Sequence, residues 1–215
     1  MEPKEYLSLA ETLLKTTPLE GVKFFEKIAA SVEAMPEAAT AAMVRLAQIF
    51  GEGEVDGVAS DQGLALAWAE KAAMQDSPEG YNEIALIAGS ACVASSDIHQ
   101  KAELAAYVSG TCDIATLARH AYAPTALHTG TVCYYMSHVY GEHALVQEMM
   151  TMRQLAQDYF SLTCRIDEMV PNGVSHQAAS EAQELLTQMK KEEPLAPDGS
   201  RKVLQNFSLL GARPQ

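Results

Sequence analysis

Three constellations in this chain set residue types at spacings that chemistry could use. The acidic turn Glu52-x-Glu54-x-Asp56-Gly57 places oxygen ligands at alternate positions with glycine sixth, as a calcium loop does, and Ser60 falls ninth. The twelfth position, where a bidentate glutamate supplies the strongest ligand, is Gly63. A turn between helices needs no metal, and no calcium is expected here. Cys133, His138 and His143 are thiolate and imidazole types that zinc uses. On one helix Cys133 and His138 diverge by about 140°. His143 sits past a turn and no fourth ligand is evident, so neither a metal nor a cofactor is expected.

The third constellation is Tyr134-Tyr135-x-x-His138-x-Tyr140. On a helix the first two rings point about 100° apart, so only one belongs wholly to a core. The other can line a groove, where tyrosine offers contact area and a hydroxyl at low entropic cost. The competing reading packs both rings between neighbouring helices. Met149 and Met152 fit a buried seam, which leaves Met150 as adaptable contact surface. Tyr134, Tyr135, His138, Tyr140 and Met150 are therefore the candidate partner-binding residues. The six histidines (99, 120, 128, 138, 143 and 176) are scattered, and none accompanies a Gly-x-Ser-x-Gly nucleophile context. No Gly-x-x-x-x-Gly-Lys cradles a phosphate, and no catalytic residue is expected.

The elements that must carry these residues read as nine or ten helices. Ala39, Ala42, Met43, Leu46, Ala47 and Phe50 fall on one face. Gly51, Gly53 and Gly57 break that helix, and Asp61 sits where an N-cap starts the next. Leu64, Ala65, Trp68 and Ala72 form the second face, with Trp68 expected to bury a large area. An earlier pair, about 4–15 and 19–34, sets Tyr6, Leu9, Ala10 and Leu13 against Phe24, Phe25 and Ile28. After Pro78 come helices to about Val108, a short segment from Asp113 to Tyr122, and a helix at roughly 124–139. Leu145, Met149, Met152, Ala156, Tyr159, Thr163 and Ile166 then step by fours and threes along one long helix. Pro171-Asn172-Gly173 ends it, and Ala178, Ala182, Leu185 and Met189 lie on an antiparallel partner. Residues 192–200 read as a loop, followed by an amphipathic tail of Val203, Leu204, Phe207 and Leu210.

Leu46-Ala47, Phe50, Gly53, Gly57-Val58, Asp61, Ala65, Trp68 and Lys71-Ala72-Ala73 resemble one Sel-one-like repeat, a relative of the tetratricopeptide repeat. The chain departs from the family pattern with Ala47 for glycine, Leu64 for the first lysine, and Val55 and Asp56 added in the turn. The resemblance covers residues 39–73 and implies a helical-repeat scaffold that binds other proteins. The family shares no catalytic residues to transfer.

Composition agrees with helices. Of the 215 residues 48% are apolar and only 7% aromatic, with almost no Val/Ile alternation to mark strands. A net charge of −13 disfavours nucleic acid and anionic membranes; a basic partner and simple acidic solubility both account for it. No apolar leader begins the chain and no apolar run reaches membrane length. Cysteines 92, 112, 133 and 164 stand apart without Cys-x-x-Cys, which fits reduced thiols and a cytoplasmic protein.

The expectation is an all-α, right-handed α-solenoid of antiparallel helix pairs, closed by a C-terminal helical hairpin. Residues 1–141 form the array, 142–191 the hairpin and 192–215 a loop with a short tail, in one continuous domain. Its expected function is a non-catalytic scaffold or adaptor that binds a partner's peptide, tail or helix in a concave groove. A dedicated chaperone or immunity-type protein sequestering one cognate partner is the alternative, and an enzyme without a recognisable motif the second. Homodimerisation through 145–190 or the tail is also expected.

Overall fold

The computed structural model describes residues 2–53 and 55–192. Among these it contains ten helices and no strand. They are α1 (Pro3–Thr16), α2 (Pro18–Ala29), α3 (Pro36–Glu52), α4 (Gln62–Met74), α5 (Pro78–Ala94), α6 (Ile98–Thr111), α7 (Ile114–His120), α8 (Ala123–Glu142), α9 (Val146–Met169) and α10 (Gly173–Lys191). Proline opens α1, α2, α3 and α5, where its missing N–H costs no hydrogen bond and its fixed φ suits the first turn. Side chains cap other starts. Asp61 accepts from the Leu64 amide at 2.9 Å, Asp97 from His99 at 2.9 Å, and Asp113 from Ala115 and Thr116. No helix among the described residues is long and apolar enough to cross a membrane.

By packing, the described residues fall into two compact units that divide inside α5, one up to Ile87 and the other from Ala88. In the first, α1 packs on α2, α2 on α3 and α3 on α4, the neighbour-to-neighbour pattern of helical repeats. Phe25, Ile28, Leu46, Ile49 and the alanines 39, 42, 65, 69 and 72 are buried there. The chain after α3 turns where the glycines require it. Gly53 (φ 63) and Gly57 (φ 79) occupy the left-handed region, and the Gly51 carbonyl accepts from Gln62 Nε2 at 2.8 Å and Ser60 Oγ at 3.3 Å.

Two expected faces are corrected. α1 buries Ala10 and Leu14, while Leu9 turns to solvent, so its stripe is rotated from the expected Tyr6/Leu9/Ala10/Leu13 line. In α4 Leu64 is exposed and Trp68 half-buried. The alanines 65, 69, 72 and 73 are its buried residues, and Lys71 Nζ lies 3.9 Å over the Trp68 ring. Small residues win here because they let the helix axes approach. Gly21 and Gly80 take the same device further: a Cβ on either would lie 2.5 Å from the backbone nitrogen of Leu14 or Ala73.

The second unit is organised around α8. Of its 20 residues 17 are buried, and it packs on α9, α10, α6 and α7. A helix covered on all sides shows no amphipathic stripe. At Gly130 a Cβ would lie 2.7 Å from the Phe160 ring, so that ring packs directly on the α8 backbone. α9 buries Met149, Ala156, Tyr159, Thr163 and Ile166 of the expected seam together with Phe160 and Leu162; Met152 is half-buried and Leu145 exposed. α10 buries Ser175, Ala178, Ala182 and Met189. Residues 142–191 thus share a unit with α8. The expected tail at 203–210 lies outside the described residues, as does Glu54 of the acidic turn.

Candidate functional site

The five residues singled out by sequence do not form one exposed face. Tyr134 is 2% exposed, stacked edge-on against His138 (ring centroids 4.8 Å apart) and Phe160 (6.4 Å). Its hydroxyl donates to Glu192 Oε1 at 2.5 Å. Arg153 Nη1 donates to Glu192 Oε2 at 3.0 Å and Nη2 to the Met189 carbonyl at 2.5 Å, while His138 Nε2 lies 3.9 Å from Oε2. Burial acts first to raise the Glu192 pKa, but the Tyr134 and Arg153 hydrogen bonds and the charges of His138 and Arg153 outweigh it and hold the carboxyl below its usual range. Burial, followed by the bond to Glu192, pushes the Tyr134 phenol up. This cluster ties the last turn of α10 to α8 and α9, with the Arg153 charge placed at the negative end of α10.

Tyr135 faces another buried group. Lys101 Nζ donates to its hydroxyl at 2.5 Å and to the carbonyls of Cys92 and Val93, each at 3.0 Å. All three ammonium protons are thereby engaged, so Lys101 acts as a cation closing the end of α5 rather than as a nucleophile. Tyr140 is buried, and Met150, half exposed, alone of the five is an open surface residue. Cys133 is fully buried, and burial pushes its thiol to about 12, with Cys112 at about 12 and Cys92 at about 11 for the same leading reason. Such thiols are poor nucleophiles and poor ligands. Among the described residues no three His, Cys, Asp or Glu side chains converge to hold a metal ion.

The repeat-defining residues are placed in the first unit, which also holds a concavity that sequence reasoning missed. Leu46 is fully buried, Phe50 is at the core's edge, Gly53, Gly57 and Asp61 shape the turn, and Ala65 and Ala72 carry the α4 contact. Beside them opens a groove of about 540 Å³ lined by Pro36, Glu37, Thr40, Ala41 and Val44 of α3, Gln75 and Ser77 of the following turn, and Pro78 and Glu79 of α5. Its lining combines proline, alanine and valine with Thr40, Gln75 and Ser77, and carries two carboxylates and no cation. Pro-Glu opens both α3 and α5, a repetition legible in the sequence that would have pointed here.

The groove's walls are braced. Arg45 Nε donates to Glu11 Oε1 at 2.9 Å and Nη1 to Gln48 Oε1 at 3.4 Å; Gln48 Nε2 donates to Glu83 Oε1 at 3.0 Å. One polar chain therefore joins α1, α3 and the first half of α5. The Arg45–Glu11 pair is a third exposed and worth under about 1 kcal/mol. Its use is in fixing the relative placement of α1 and α3. A second, wider concavity of about 780 Å³ runs along α9 and α10, lined by polar residues such as Asp167, His176, Gln183 and Lys191. Both linings expose more apolar than polar surface; what sets the α3/α5 groove apart is the polar chain that joins its two helices. That groove is the stronger candidate.

No protein-family model, curated protein or solved structure matches this chain.

Proposed function

We propose that the protein is a non-catalytic interaction scaffold, and that its first unit is a right-handed array of antiparallel, Sel-one-like helix pairs whose α3/α5 groove receives a segment of a partner protein. The observation that carries this reading is the groove itself: a preformed concavity of about 540 Å³, its walls tied together by the Glu11–Arg45–Gln48–Glu83 chain. Glycines and alanines at the helix contacts support the repeat reading, because they set the close spacing on which stacked pairs depend. The buried, fully engaged state of Lys101 and the raised pKa of the buried thiols support a non-catalytic role.

The test is affinity capture from the native cell with Ala41→Arg beside Ser161→Arg. Ala41 is exposed on the groove floor; an arginine there fills it and pairs with Glu37 one turn back. Ser161 is exposed on α9. A stoichiometric partner held by the wild type and by Ser161→Arg should fall at least about tenfold with Ala41→Arg, a loss of roughly 1.4 kcal/mol. Equal capture by all three proteins contradicts the assignment.

A further inference from the structure

We infer that the α3/α5 groove takes an extended partner segment carrying a lysine or arginine beside an apolar side chain; this rests on the reading of the groove as the docking site. The charge arithmetic of the lining decides the class. Glu37 and Glu79 are both exposed and each is the second residue of its helix. A helix start carries roughly half a positive charge, so two starts offset about one of the two full negative charges. The lining therefore stays negative by about one unit, and no Lys, Arg or His among its residues compensates it. A carboxylate-bearing segment is repelled and a cationic one attracted.

Glu79 is also held in place. Ser77 Oγ donates to Glu79 Oε2 at 3.0 Å and accepts from the Gly80 amide at 3.1 Å, so one buried hydroxyl fixes both the helix start and the carboxylate over the groove. Between the two carboxylates lie Ala41, Val44, Pro36 and Pro78, apolar and too short to fill the space themselves. A side chain of leucine or valine size fits that floor and leaves a neighbouring cation at the rim.

The experiment measures binding of the full chain to fluorescein-labelled nonapeptides with a central Lys-Ala-Leu, Ala-Ala-Leu or Glu-Ala-Leu in a Gly-Ser frame, by anisotropy at low salt. The lysine peptide should bind about fivefold to tenfold tighter than the alanine peptide, with the glutamate peptide weakest. The preference should shrink to under about twofold in 0.5 M NaCl and in the Glu37→Gln, Glu79→Gln double variant, whose unchanged thermal unfolding certifies its fold. Equal binding of the lysine and alanine peptides, both abolished by Ala41→Arg, overturns the cationic class while the groove stands. A lysine preference that survives the double variant overturns it likewise. Binding of no peptide, or binding unaffected by Ala41→Arg, overturns the inference and the groove together.

Discussion

Gly80→Val is expected to cost about 3 kcal/mol of stability. A Cβ at position 80 would sit 2.5 Å from the Ala73 nitrogen, 2.8 Å from the Ala72 carbonyl carbon and 2.9 Å from the Ala72 Cβ. Two of those three atoms are backbone, so no rotamer change relieves the clash, and α5 must move off α4. Valine adds branching at the same atom. Because Glu79 and Pro78 border the groove, the same movement should open it. The comparison is Gly110→Ala in α6, where a Cβ meets nothing within 4 Å and the helix should gain about 0.5–1 kcal/mol. Urea unfolding of both variants checks the pair. A Gly80→Val loss under about 0.5 kcal/mol would mean that α4 and α5 do not touch through their backbones.

Glu192→Gln should cost about 2 kcal/mol at neutral pH, because it removes a charge that Tyr134 and Arg153 both bind while keeping the shape. Glu192 is 16% and Arg153 20% exposed at the side chain, so solvent screens this pair less than an open surface bridge. The pH dependence has a definite sign. The folded carboxyl is held below the ordinary 4.5, so its contribution is complete above that value and is lost as pH falls through the lowered folded value. Unfolding of wild type and variant should therefore differ at pH 7 and converge at a pH below the lowered folded value. A gap of the same size at both values would place the effect in packing and not in the charge.

The sequence made the helices legible wherever a helix has one wet face. The α9 and α10 seams, the Asp61 cap and the glycine turn after α3 all follow from spacing and from residue types with a single local use. α8 was legible as a helix but not as the centre of its unit, since a helix buried all round has no stripe to read. The tyrosine pair misled for a related reason. Side-chain directions separate Tyr134 from Tyr135, but only the partners Glu192 and Lys101, distant in sequence, decide that both hydroxyls are spent inside the chain. The fully buried residues of α4 are small, Ala65, Ala69 and Ala72, while Trp68 is only half-buried, which spacing alone does not separate. The groove escaped notice because it is made by absence: short side chains at Ala41 and Val44, and a turn that brings Gln75 to Glu79 beside α3.

The central claim is that a partner's chain lies on the α3/α5 floor, and photo-crosslinking in the native cell addresses it most directly. A diazirine side chain installed at Ala41 should give one dominant adduct with a partner chain, and the same side chain at Ser161 should give none. Adducts that form equally from both positions, or from Ser161 alone, would contradict it.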